Sequence, residues 1–296
     1  MSDEIILEAR GLTKEFKGFT AVDHVDLRVR KGSIHALIGP NGAGKTTMFN
    51  LLTKFLPVTS GQMIYKGVDI TGLSASEVSR SGMVRSFQIS AVFPHLTVLE
   101  NVRIGLQRKL GTSFHFWKPE SSLYVLNEEA MALLESVDLA SFAHTQTVEL
   151  PYGRKRALEI ATTLALDPEL MLLDEPTQGM GHEDVGRVVE LIRKVAANRT
   201  VLMVEHNMNV VANLSDTITV LARGAVLAEG PYEEVSKNPR VLEAYVGSID
   251  ENDALGAHAR PRMFYSKCTT CMRGMANRIS CMASTLKCVK VNSSPC

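Results

Sequence analysis

The chain has 296 residues, 45% apolar and 22% charged, so it is long enough to bury a large core and too apolar to be disordered. Thirty-two basic side chains balance 32 acidic ones, which argues against a polyanion binder working by bulk charge. No apolar run approaches the ~20 residues of a membrane helix. The opening MSDEIILEAR carries acids where a secretion signal carries bases, so the chain is expected to stay in the cytosol and meet a membrane only through partners.

Taken in chain order, Ile5–Ala9 and Val25–Val29 alternate apolar and polar residues, as half-buried strands do. Ile34–Ile38 is a short apolar strand running into glycines, and Lys45–Leu56 reads as a helix. Ala130–Val137 is a helical stretch, and Arg154–Leu166 is a helix with a stripe through Ala157, Leu158, Ala161 and Leu164. Leu170–Leu173 and Val201–Val204 are buried strands on either side of an amphipathic helix, Val185–Ala197. Thr217–Leu221 and Ala225–Glu229 flank Ala222-Arg223-Gly224 as a hairpin. Strands separated by helices predict an α/β fold with a parallel sheet covered on both faces.

The composition changes near residue 248. All five cysteines lie at or after Cys268, so disulfides do not hold the main domain, as fits a reducing compartment. Residues 248–296 hold seven basic against three acidic side chains and no sustained apolar period, which reads as a flexible Cys/Ser/Met-rich tail. Cys268, Cys271, Cys281 and Cys288 offer four thiols to zinc, but only the first pair has C-x2-C spacing.

The strongest chemical signal is Gly39-Pro40-Asn41-Gly42-Ala43-Gly44-Lys45-Thr46 between a predicted strand and a predicted helix. Glycines let such a loop turn its N–H groups inward as an anion nest, and the helix dipole adds positive potential. Lys45 can reach β- and γ-phosphates, and the Thr46 hydroxyl suits Mg2+. Downstream, Leu170–Leu173 ends in Asp174 and Glu175, acids that need a charge partner at the end of a buried strand. The loop lysine and Mg2+ are expected to supply it, with Asp174 on the metal and Glu175 orienting or deprotonating a water. Val201–Val204 leads to Glu205-His206, which puts a histidine where open α/β sheets bind ligands.

Together these residues resemble the nucleotide-binding subunit of an ABC transporter across residues 5–247. The order is the phosphate loop, Gln88, the signature segment Leu150-Pro151-Tyr152-Gly153-Arg154, Leu170–Glu175 and then His206. The resemblance implies a P-loop NTPase of the ABC type, with a mainly parallel core sheet, an antiparallel β subdomain and a helical subdomain at about 88–166. It implies one ATP-binding domain over 1–247, with 248–296 as the tail. Phe16 would stack on adenine. Gly39, Asn41, Gly42, Gly44, Lys45, Thr46 and Thr47 would hold ATP, together with Tyr152 and Gly153. Thr46, Gln88 and Asp174 would hold Mg2+, and Glu175, His206 and Gln88 would act in catalysis.

Within that family, the Tyr-Gly signature, Arg156–Ala161, Glu205-His206-Asn207-Met208 and the ending Val241–Gly247 resemble branched-chain amino acid importers. Gly105–Ala130 is similar to the insertion of the longer of their two ATPase subunits. Urea and short-amide importers share much of the pattern. The resemblance implies a sandwich dimer with a second ATPase subunit, two membrane permease subunits met through Phe93–Val102, and a periplasmic or extracellular solute-binding protein. It places the chain on the cytoplasmic face of a bacterial inner membrane.

Three features depart from the family pattern. Pro151 stands where a serine usually meets the γ-phosphate, Thr177–His182 lacks the usual aspartate near Gly181, and the tail is extra. The alternatives weigh less. A soluble ABC ATPase acting on nucleic acid or ribosomes is expected to carry two ATPase domains or a coiled coil. A GTPase would show an Asn-Lys-x-Asp reader, and neither feature is present.

Overall fold

The computed structural model describes residues 4–86, 92–108 and 120–245. It opens on two long strands, β1 (Ile5–Phe16) and β2 (Phe19–Arg30), joined where Lys17 and Gly18 both take positive φ. That turn geometry matches the natural twist of a hairpin. β1 runs past Ala9, where the sequence alternation stops. Its register with β2 slips between Ala9 and Leu12, both of them buried, so the inward side changes parity and a period-2 pattern cannot follow it.

β3 (Ile34–Ile38) feeds the glycine loop, and α1 (Lys45–Leu52) follows. The helix stops short of the expected Leu56 because Lys54 turns left-handed and Leu56 N–H donates back to the Asn50 carbonyl. Next come β4 (Ser60–Tyr65), β5 (Val68–Asp69), α2 (Ala75–Arg80), β6 (Met83–Ser86) and α3 (Val98–Leu106). Reciprocal capping boxes start α2 at Ser74/Glu77 and α3 at Thr97/Glu100. A 3-10 stretch (Glu120–Leu126) leads into α4 (Asn127–Ser136) and α5 (Tyr152–Leu164). The remaining elements are β7 (Leu170–Asp174), α6 (His182–Ala196), β8 (Thr200–Val204), α7 (Met208–Leu214), β9 (Thr217–Ala222), β10 (Ala225–Gly230) and α8 (Tyr232–Val235), with further helix at 239–245.

Two sheets result. One is antiparallel, ordered β2-β1-β4-β5. The other, ordered β10-β9-β3-β8-β7-β6, is parallel except for the β9–β10 hairpin. β3, β7 and β8 are buried at every position, as strands covered on both faces must be. Alternate residues feed different layers. Ala36, Met171, Leu173 and Met203 join a core with Leu158, Ile192 and Val211 of the helices. Leu37, Leu172 and Leu202 join one with Phe49 and Leu52 of α1 and Leu7, Leu27 and Met63 of the antiparallel sheet. Each such buried side chain contributes about 1.5–3 kcal/mol of transfer free energy.

The strand register sets up the site. Leu37 pairs with Val204, and Val204 with Asp174, so β3, β7 and β8 end at one edge. The glycine loop, Glu175 and Glu205-His206 all follow that edge, the ligand side of an open α/β sheet. No helix among the described residues is long and apolar enough to cross a membrane.

Candidate active site

The phosphate loop is built around two glycines. Gly39 has φ +151, and a Cβ there would lie 2.1 Å from the Leu221 carbonyl oxygen. Gly44 has φ +98, and a Cβ would lie 2.5 Å from the Ala21 oxygen. The loop is therefore wedged between β9 and β2, and only glycine fits at these points. Gly224 N–H donates to the Ala43 carbonyl at 3.1 Å, which ties the loop to the β9–β10 turn.

Lys45 is buried, and its Nζ donates to the carbonyls of Gly39 (2.6 Å) and Pro40 (2.9 Å). Burial pulls its pKa down, and the nearby Glu175 carboxylate works the other way. Asn41, Gly42 and Thr46 are exposed, and Thr47 is half-buried. Phe16, at the end of β1, is 40% exposed and carries the Lys14 ammonium 5.0 Å above its ring.

The acids at the end of β7 diverge. Asp174 is buried, and its charge partner is Arg85, not the loop lysine expected from sequence: Arg85 Nη2 lies 2.5 Å from Asp174 Oδ2. The cause is the sheet, where β6 lies beside β7 and brings residue 85 alongside. Glu175 takes a left-handed φ of +46. Its N–H donates to the Val204 carbonyl at 2.9 Å, and its carbonyl accepts from Gln178 N–H (3.1 Å) and Arg156 Nη2 (3.2 Å). Arg156 is itself held by Glu159 at 2.5 Å. His206 Nδ1 stands 4.0 Å from Glu175 Oε1.

Glu205 is fully buried and joins two loops. Its Oε1 accepts from the Thr177 N–H (3.0 Å) and hydroxyl (2.6 Å), and its Oε2 from the N–H groups of His206 (3.0 Å) and Asn207 (3.2 Å). Sequence reasoning assigned no role to Glu205, Arg85 or Arg156. Glu205 adjoins His206, which is the one available signal; the other two act through partners distant in the chain.

Pro151 caps α5 with φ −57, so the helix begins at Tyr152, before the expected Arg154. Proline suits this place because its missing N–H would have no helical partner there. Tyr152 is exposed and its hydroxyl donates to the Gln178 carbonyl at 3.2 Å. A Cβ on Gly153 would lie 2.7 Å from the Asp184 carboxyl group. Both residues thus touch the 178–184 segment of their own chain. Gln88 and the whole 248–296 tail with its zinc thiols lie outside the described residues, as does 109–119 of the expected insertion.

A groove of about 390 Å3 opens between β6, α2, α3 and α5, lined by Phe55, Arg85, Phe93, Ile104 and Thr163 among others. Arg85 links it to Asp174, and Glu159, which also lines it, holds Arg156 against the Glu175 carbonyl.

The ABC transporter family pattern matches residues 22–178, and that of the branched-chain amino acid ATP-binding cassette transporter matches residues 225–251. The chain is 40% identical over 249 residues to the high-affinity branched-chain amino acid transport ATP-binding protein BraF of Pseudomonas aeruginosa, covering 82% of this chain and 98% of the relative. It is 36% identical over 252 residues to LivG of Escherichia coli strain K12, described in the same words, with the same coverage. Among solved structures, the ADP conformation of MJ1267, an ATP-binding cassette of an ABC transporter, superposes with a TM-score of 0.74 at 31% identity, covering 82% of this chain and 99% of that one.

Proposed function

This chain belongs to the ABC transporter family of ATP-binding proteins, and from that premise we propose that it drives uptake of branched-chain or other hydrophobic amino acids. Members of the family hydrolyse ATP to power transport, and the fold is that of their ATPase. The solute class is supported by the names of the relatives and by the match over residues 225–251.

In this reading, ATP lies along the phosphate loop. Adenine stacks on Phe16, and the loop N–H groups of Gly39, Asn41, Gly42 and Gly44 face the phosphates, with Lys45, Thr46 and Thr47 at the start of α1. Lys45 leaves the Gly39 and Pro40 carbonyls for the β- and γ-phosphates. Tyr152 and Gly153 at the start of α5 cover the γ-phosphate of a second ATPase subunit, whose own pair covers this one.

Thr46, Asp174 and Gln88 are assigned to Mg2+. Two of these donors fit a hard cation: the Asp174 carboxylate, with Oδ1 free of hydrogen bonds among the described residues, and the exposed Thr46 hydroxyl. Mg2+ there would neutralise charge on the β- and γ-phosphate oxygens. Glu175 holds the attacking water, and His206 contacts the γ-phosphate. The observation that carries this assignment is the placement of His206 4.0 Å from Glu175 at the strand edge that bears the phosphate loop.

The groove beside Phe93 and Ile104 is the surface for the membrane permease subunits. A solute-binding protein outside the cell completes the system. The chain then works as a peripheral protein on the cytoplasmic face of the membrane, with no nucleic-acid partner.

Glu175→Gln tests the chemistry. It should retain ATP binding, abolish turnover and accumulate an ATP-bound dimer in light scattering; unchanged turnover removes Glu175 as the base. Co-purification with membrane subunits tests the system. Leucine, isoleucine or valine with its binding protein should stimulate the ATPase, whereas stimulation by urea alone would replace the solute class.

A further inference from the structure

We propose that Arg85 is a positioning residue that makes metal binding at Asp174 conditional on nucleotide. The proposal rests on the reading of Asp174 as the metal carboxylate. Arg85 lies on β6, one strand over from Asp174, and both side chains are nearly inaccessible, at 10% and 3% exposure. One arm of its guanidinium donates to Asp174 Oδ2 at 2.5 Å, and the other donates to Asn50 Oδ1 at 2.6 Å. The rings of Phe49 and Phe55 each lie 5.8 Å from the guanidinium carbon. The charge is therefore clamped in place and largely desolvated, where a unit charge acts far more strongly than in water.

Two consequences follow. The guanidinium fixes Asp174 by one oxygen, and Oδ1 accepts no hydrogen bond among the described residues. It also cancels the Asp174 charge, and Lys45 opposes the nearby Glu175 carboxylate, so a bare divalent cation meets no net anion there. A nucleoside triphosphate brings several negative charges to the adjacent loop, and these outweigh the charges of Arg85 and Lys45 together. Metal then arrives with the phosphates.

The test is a Mn2+ titration of the full chain read by the EPR signal of free Mn2+, with and without a non-hydrolysable ATP analogue. Without nucleotide, wild type should bind Mn2+ only weakly and Asp174→Asn no more tightly, because the carboxylate is already neutralised and its removal leaves the Arg85 charge unopposed. Arg85→Gln should bind at least tenfold more tightly, Arg85→Lys should return to the wild-type value, and Arg85→Gln/Asp174→Asn should lose the gain. With the analogue, Asp174→Asn should weaken Mn2+ binding. No gain in Arg85→Gln, or a gain that survives the double substitution, overturns the proposal. If Arg85→Gln does not fold, the wild-type comparison still decides: a nucleotide-free Mn2+ site lost on Asp174→Asn overturns it. An analogue-bound Asp174→Asn with wild-type Mn2+ affinity removes the metal role of Asp174 itself, a separate failure.

Discussion

At the residue scale, the site depends on one strained backbone position and the groups that hold it. Glu175 takes the left-handed conformation without being glycine, at a cost of about 1–2 kcal/mol. Three backbone hydrogen bonds offset that cost: its N–H donates to β8, and its carbonyl accepts one from its own loop and one from Arg156 on α5. His206 is held just as firmly through Glu205, whose two oxygens accept from four donors. The isosteric change Glu205→Gln should therefore disturb more than its size suggests. Its amide nitrogen must face two donors whichever way it turns, leaving them buried without an acceptor, at about 1–3 kcal/mol each. We expect the melting temperature and kcat to fall together, while the KM for ATP changes little. A wild-type kcat in a well-folded Glu205→Gln chain would show that the tie between the loops does not position the catalytic pair.

At the element scale, the segment before α3 is organised by one buried amide. Asn101 Oδ1 accepts from Phe93 N–H at 2.7 Å, and its Nδ2 donates to the carbonyls of Phe93 (3.1 Å) and Thr97 (3.0 Å) and to the Thr147 hydroxyl (2.9 Å). Asn101→Ala should lower stability by about 2–4 kcal/mol, read as the urea midpoint, because several buried groups lose partners at once. A loss below 1 kcal/mol would mean water replaces the amide. This network was not legible in the sequence, where Asn101 is an ordinary polar residue at a helix start. The phosphate loop and the acids after Leu173 were legible because their chemistry is contiguous in the chain. β4 and β5 were not, since β4 begins with exposed Ser60, Gly61 and Gln62 and β5 has only two residues. Arg85 escaped because its partner is 89 residues away, and only the pairing of β6 with β7 makes them neighbours.

At the scale of the whole molecule, one buried histidine links global stability to pH. His35 on β3 is buried, and desolvation, helped by the Arg30 charge, draws its pKa from 6.5 down to about 4. Thr219 donates its hydroxyl to Glu229 at 2.8 Å, so its oxygen accepts from His35 Nε2, and the ring is held neutral. Because the folded pKa lies below the unfolded one, this group's contribution is complete above pH 6.5. It is lost as pH falls toward 4, by about 3 kcal/mol at most. The drop in urea midpoint from pH 7 to pH 4.5 should be smaller in His35→Gln than in wild type; equal drops would show that other groups carry the acid sensitivity. The sheet that holds His35 also divides the core into two layers. Residues on one side of β3, β7 and β8 pack with the helical layer, and their neighbours pack with α1 and the antiparallel sheet. Substitutions confined to the helical layer can therefore reshape that face for a partner without touching the side chains that seat the phosphate loop.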